Sequence, residues 1–409
     1  MTNLISRLTQ YNYAVERILL ASLVISIPLK VGISSVVVGI IALYWLIGRK
    51  FNITLEVLKE SVVLKLILAY LLVIIASAVT SSDVKEGMRL LEKRLNLLAI
   101  PLTLASFSIT SKDKALLLKA FIGVCLCCAV YSIISTYVVH DFNFQRLLKD
   151  REYLSYYCWI IHETLGLNAS YYALFVAFAS ILAAYYALYG EKKYRIYYLG
   201  SYLFLFAFMA LLGSRISLLA MLALSLALLG KAWRDRKIAI TRVLAILSAV
   251  VVASILFMKI PYLSSRVMAA INSFGDDPRS MTFDCAIEVI KEKPIFGHGL
   301  GDVTKAALSC YLNKGYTEPY QDQYNFHNEF LEITASAGII GLLVFLMLLG
   351  TLLWKGLREQ NIIGVAFIFL FMIACQPESL LDRNKGILFF AFFSTLLFLI
   401  DVEKKDSSR

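Results

Sequence analysis

Apolar runs long enough to cross a hydrocarbon core of ~30 Å recur along almost the whole chain, and this leaves few architectures open. In lipid every backbone polar group must be satisfied within the fold, so runs of this length read as spanning helices. Spans are predicted at 13–29, 31–48, 62–80, 90–107, 115–139, 168–189, 196–212, 215–230, 238–258, 329–353, 361–376 and 386–401. Pro28, Lys30 and Gly32 interrupt the first pair, which also reads as one long kinked segment. Only 17% of residues are charged and mean hydropathy is +0.72, too little charge to cover a soluble domain of this length. Met1 to Gln10 is polar and the first apolar run lacks a small-residue cleavage site, so that run reads as a retained helix. The expected fold class is an all-α polytopic membrane protein of about 12 transmembrane helices, with a large, partly helical outer loop.

Basic residues lie in clusters between these runs. Arg49, Lys50, Lys59, Lys112, Lys114, Lys192, Lys193, Arg195, Lys231, Arg234, Arg236, Lys237, Lys355, Arg358, Lys404 and Lys405 share one face if the N-terminus is cytoplasmic. Lys85, Arg89, Lys93 and Arg94 are the exception, on the outer side. Both termini are then cytoplasmic. The chain divides into N-terminal helices over 1–258, an outer loop over 259–328, and C-terminal helices with a cytoplasmic tail over 329–409. The net charge of +11 follows this loop pattern, which suits anionic headgroups and speaks against nucleic acid.

A structureless loop of that length is unusual, so helices are expected within it. Phe283, Ala286, Ile287, Val289 and Ile290 fit an amphipathic helix over Met281 to Lys293. Pro294 ends it, and Gly297-His298-Gly299-Leu300-Gly301 forms a tight turn without the preceding strand that a dinucleotide fingerprint requires. Cys285 and Cys310 are both in this loop, where an oxidising compartment permits a disulfide.

The topology gathers polar residues on the outer face. Arg215 opens a helix directly after Gly213-Ser214, where a guanidinium so close to hydrocarbon needs an anion or snorkels to the headgroups. Its fork geometry suits phosphate. His327, in Asn325-Phe326-His327-Asn328-Glu329, suits proton abstraction near neutral pH, and Asn328 and Glu329 are placed to orient its ring or bind sugar hydroxyls. His298 is a weaker candidate, since its glycine turn explains it. His140, His162, His298 and His327 have no paired ligand spacing, so no metal site is expected. A transporter of lipid-linked sugars is the alternative from another class, and the spans lack the midplane charge it would need.

Three stretches resemble the O-antigen ligase and polymerase superfamily, polytopic enzymes that transfer lipid-linked glycans on the periplasmic face. They are Gly213-Ser214-Arg215; Arg279 through Lys291-Glu292-Lys293-Pro294 to Gly297-His298-Gly299; and His327-Asn328-Glu329-Phe330-Leu331 followed by Ala337-Gly338-Ile339-Ile340-Gly341-Leu342. The resemblance implies that His327 is the general base for the acceptor hydroxyl. It implies that Arg215 and Arg279 hold the pyrophosphate of undecaprenyl diphosphate, with neither metal nor other cofactor; Arg266 is a substitute for Arg279. Arg89 and Arg94 read as phosphate contacts or as interfacial anchors, and Glu378 to Arg383, including Asp382 and Arg383, as a charged outer turn that binds substrate. His162 precedes Tyr171 and Tyr172 by a longer stretch than the family pattern, so it takes no role. The implied protein is a multi-pass enzyme of a bacterial inner membrane with its active site facing the periplasm. The ligase branch, moving glycan from undecaprenyl diphosphate to lipid A–core with inversion, is preferred to a polymerase joining lipid-linked repeats.

Overall fold

The computed structural model describes residues 2–48, 51–107, 109–139, 160, 163–241 and 278–400. Most of the expected 238–258 span lies outside these residues, as do His140, His162 and Arg266. Among the described residues the chain is all-helical, and five helices are long and apolar enough to cross a membrane: Val62–Val79, Ser111–Val138, Ala169–Tyr189, Arg215–Arg234 and Glu329–Arg358. Val31–Ile47, Ile362–Ala374 and Asn384–Phe398 are shorter apolar helices. The chain forms two compact units, residues 1–120 with 278–409, and residues 121–277.

The first unit begins with α1 (Thr2–Ser26) and α2 (Val31–Ile47), which are two helices and not one kinked segment. Pro28 stops the first, and the buried Lys385 ammonium donates to the carbonyls of Ser26 and Ile27 at 3.0 and 2.9 Å and to Ser34 Oγ at 2.6 Å. A cation thus takes up carbonyls that the break leaves without helical donors. After α3 (Phe51–Glu60) and α4 (Val62–Val79), the expected 90–107 span is replaced by α5 (Val84–Arg94) and α6 (Asn96–Leu104), which meet at Leu95. The physical reason is charge: α5 carries Lys85, Glu86, Arg89, Glu92, Lys93 and Arg94 and turns inward only the face of Gly87, Leu91 and Arg94.

α7 (Ser111–Val139) leads to the second unit. There α8 (Ala169–Tyr189), capped by Asn168, packs on α9 (Arg195–Leu212) and α10 (Arg215–Arg234). The α8 face is buried almost throughout, and Tyr172 meets Phe208 edge to face at 5.5 Å. Gly213, at φ +68°, makes the left-handed turn between α9 and α10.

Back in the first unit, the stretch before the C-terminal helices contributes α11 (Pro278–Glu292), α12 (Val303–Lys314) and α13 (Thr317–Gln321). The buried face of α11 runs through Thr282, Cys285, Ala286 and Val289, whereas Phe283 is exposed. Cys285 and Cys310 form a disulfide joining α11 to α12, with Cα atoms 5.7 Å apart. The remaining helices are α14 (Glu329–Arg358), α15 (Ile362–Ala374) and α16 (Asn384–Phe398).

The expected straight span 329–353 is broken at Gly338, whose φ of +69° and ψ of −173° leave the helical region. The glycine turn fills this break. His298 N–H donates to Ala335 O at 2.8 Å, Gly299 N–H to Ser336 O at 3.0 Å, and Ile339 N–H to Pro294 O at 2.9 Å. A Cβ on Gly338 would stand 2.0 Å from Ile295 O, so the approach requires glycine. The far end of the turn is bound to the end of α4, where Gly301 N–H donates to Ser81 Oγ at 2.9 Å and Asp302 accepts the amides of Ser82 and Asp83 at 2.5 and 3.0 Å. His298 completes the joint with Nε2 2.9 Å from Val289 O.

Candidate active site

The segment from Tyr324 to Glu332 presents His327, and its sequence dictates an unusual backbone. α13 ends in a Schellman turn: Tyr324 N–H donates to Pro319 O at 3.0 Å and Gln323 N–H to Tyr320 O at 3.4 Å, with Gln323 at φ +51° where glycine is usual. His327 is itself left-handed, at φ +48°. Such a conformation costs on the order of 1 kcal/mol or more and persists where neighbours fix it. Two asparagines fix it here. Asn325 Oδ1 accepts the His327 N–H at 3.1 Å, an Asx turn. Asn328 caps α14, accepting the amides of Phe330 and Leu331 at 3.0 and 3.1 Å. The Tyr324 ring stands edge-on to the imidazole, with centroids 5.2 Å apart.

Below this turn is a buried polar network. Asn325 Nδ2 donates to Asp382 Oδ2 at 3.0 Å, and Asp382 Oδ1 accepts Arg94 Nη2 at 2.6 Å. Arg94 is 2% exposed, so its guanidinium faces protein and not the outer surface. Glu329 is fully buried: its Oε2 accepts Leu381 N–H at 2.7 Å, and its own N–H donates to Cys375 O at 2.9 Å. Glu332, also buried, accepts Phe326 N–H at 3.1 Å. Asn328 Nδ2 reaches Gln376 Oε1 at 3.3 Å. The 375–382 segment is therefore stitched to both sides of His327.

Arg279, exposed in the first turn of α11, is close to the same turn: Thr282 Oγ1 donates to Arg279 O at 3.0 Å and lies 3.5 Å from Phe326 O. Arg383 is exposed beside Asp382. Arg89 is exposed and forms a forked pair with Glu86 on its own helix, at 2.7 and 2.5 Å. Lys93 is half-buried; burial and then the nearby charge of Arg89 hold its ammonium below the usual lysine range, with Arg383 adding to the effect. Arg215 is the first residue of α10 in the second unit and is exposed there.

His327, Asn328, Glu329, Arg94 and Asp382 are thus connected within one unit, and the residues that sequence reasoning left without a role are Asn325, Glu332 and Tyr324. Asn325 did carry a signal, since an Asn two residues before a His is the pattern of an Asx turn. Chemically, the arrangement offers a half-buried imidazole on a turn fixed from both sides, with exposed residues Arg279 and Arg383 on neighbouring segments.

No curated protein is similar enough to the chain to count as a match. Residues 200–346 match the family model described as O-antigen ligase, a stretch holding Arg215, Arg279, the glycine turn and His327. Over these 147 of its 409 residues the chain is similar to the O-antigen ligase family.

Proposed function

We propose that the chain is an O-antigen ligase, moving glycan from undecaprenyl diphosphate to lipid A–core at the periplasmic face of a bacterial inner membrane. The observation that carries the reading is His327, held in a left-handed turn by Asn325 and Asn328 inside the segment that matches the family. In this reading the acceptor hydroxyl gives its proton to the imidazole as its oxygen bonds to the anomeric carbon. The bond from that carbon to the pyrophosphate breaks on the opposite face, so the configuration inverts. The electron pair leaves with the pyrophosphate, whose growing charge Arg279 takes up by forked hydrogen bonds. Arg383 and Arg89 add positive charge on the first unit, while Arg94, Asp382 and Glu329 act from below by fixing the turn. Asn328 sets the start of α14 behind the base.

The break at Gly338 supports the enzyme reading over transport. In transporters a broken helix offers its freed carbonyls to cargo or ions, whereas here the amides of His298 and Gly299 occupy them.

The test uses purified protein in lipid with undecaprenyl-diphosphate-linked glycan and lipid A–core supplied together. Glycan on lipid A–core, lost by a factor of about 10² or more in His327→Ala at equal protein level, is the expected result. Longer lipid-linked glycan with untouched lipid A–core would make the chain a polymerase. No new bond in either pool would refute both.

A further inference from the structure

Three side chains at the base of the His327 turn are almost completely buried: Tyr70 on α4 at 1% exposure, Arg94 at 2% and Glu329 at 0%. Each keeps one polar atom that no group among the described residues reaches: Tyr70 Oη, Arg94 Nη1 and Glu329 Oε1. The polar contacts of Glu329 and Arg94 converge on adjacent residues, and Tyr70 approaches through its ring. Glu329 Oε2 holds the amide of Leu381, and Arg94 holds the carboxylate of the next residue, Asp382. Tyr70 joins from α4: its ring is 5.5 Å from Phe345, which is 6.0 Å from Phe330, the neighbour of Glu329. The three side chains are within electrostatic reach of one another.

Buried polar atoms left without partners cost roughly 1–3 kcal/mol each, so three in one place call for a ligand. The donor and acceptor inventory defines it. Arg94 Nη1 can only donate, while the Glu329 carboxyl and the Tyr70 hydroxyl can each accept or donate. A metal cation is repelled by the guanidinium, and an anion by the Asp382 carboxylate. What fits is a small neutral molecule that accepts and donates at once, with about three partners, which describes an ordered internal water. We propose that Tyr70, Arg94 and Glu329 bind such a water, and that it ties α4 to the segment under the His327 turn. Tyr70 is then a positioning residue for that turn. The proposal adds Tyr70 to the site of the proposed function, yet the water itself stands whether or not His327 is a base.

Hydroxyl-radical footprinting of the full chain in lipid nanodiscs tests it, because radicals formed from bound water label buried neighbours. Tyr70 is expected to be labelled well above Phe367, which is equally buried in the same unit but surrounded by phenylalanines. Tyr70→Phe removes only the hydroxyl. With a bridging water its thermal midpoint falls by about 2–4 °C, as for the loss of one hydrogen-bonded group. With an unpartnered hydroxyl the midpoint stays or rises. Either a Tyr70 labelling rate equal to that of Phe367 or a Tyr70→Phe midpoint at or above wild type overturns the proposal. Neither measurement uses transfer activity, so failure here leaves the ligase reading to its own test.

Discussion

The bond between Arg94 and Asp382 offers the sharpest perturbation. Asp382→Ala removes the carboxylate that pairs with a guanidinium only 2% exposed, and also removes the acceptor of Asn325 Nδ2. Breaking a buried pair from one side costs about 3–5 kcal/mol, because the surviving charge stays desolvated. The lost Asn325 bond adds about 1 kcal/mol. Glu329 lies in the field of Arg94 and offsets part of this, so about 3–4 kcal/mol is the expected total. For a unit of roughly 250 residues each kcal/mol moves the midpoint by about 2–4 °C, which gives a fall of about 6–16 °C.

The double variant Arg94→Met/Asp382→Leu separates stability from function. Replacing both charges with apolar groups of similar size is often nearly neutral, so its midpoint should return to within about 4 °C of wild type. Transfer activity should not return, because Asn325 still lacks its anchor and the His327 turn is held only from the Asn328 side. The assay is a thermal unfolding scan in nanodiscs paired with the glycan-transfer assay on the same preparations. A drop below about 2 °C in Asp382→Ala would refute the buried-pair account. Full activity in the double variant would refute the claim that the network positions the base.

Other consequences follow from the same contacts. Gly338→Ala places a Cβ 2.0 Å from Ile295 O at a φ of +69°, so the glycine turn must leave its dock. A loss of several kcal/mol is expected, seen as a collapse of the monodisperse fraction, and normal yield with normal activity would count against the joint. The Cys285–Cys310 bridge closes a separation of 25 residues, for which chain entropy gives about 3.5 kcal/mol; reduction or the double serine variant should lower the midpoint accordingly, and an unchanged scan would refute it. Asp284 titrates below the usual carboxylate range because Lys314 and then Tyr316 hydrogen-bond it. Its folded value is depressed, so its stabilisation is complete above about pH 4 and fades as pH falls through the folded value. The wild-type midpoint should exceed that of Asp284→Asn by a small margin at pH 6, up to about 1 kcal/mol for so exposed a pair, and the margin should vanish by about pH 2.

Much of the site was legible because it is local. Asn328 must cap the apolar run that follows it, and a His directly before such a cap lies at a helix mouth whatever the rest of the chain does. The glycine turn was visible as a break in regular structure, whereas Gly338 was hidden inside an apolar run that reads as one span. That one fills the other was not visible, because their contact is made by backbone atoms, and backbone atoms leave no trace in side-chain chemistry. Pro28 and Gly32 marked the α1–α2 break in the same local way, while the cation that seals it, Lys385, is more than 350 residues away.

Arg94 shows how one misplaced boundary hides a role. With a span beginning at residue 90, the arginine reads as the outer flank of a membrane helix, where a guanidinium contacts phosphate or headgroups. With the helix beginning at Val84, Gly87, Leu91 and Arg94 follow each other at i, i+4 and i+7 and share a face. A glycine on that face lets α5 approach the end of α4 so closely that a Cβ at residue 87 would be 2.8 Å from Ala78 O. An arginine on so tight a face has to be buried, and a buried arginine needs a carboxylate from elsewhere in the chain. Asp382 in the charged turn meets that need, and its second oxygen carries the constraint through Asn325 to the backbone of His327. The helix period of α5 thus sets the position of a residue more than 230 positions later, a coupling that becomes readable once the first residue of α5 is known.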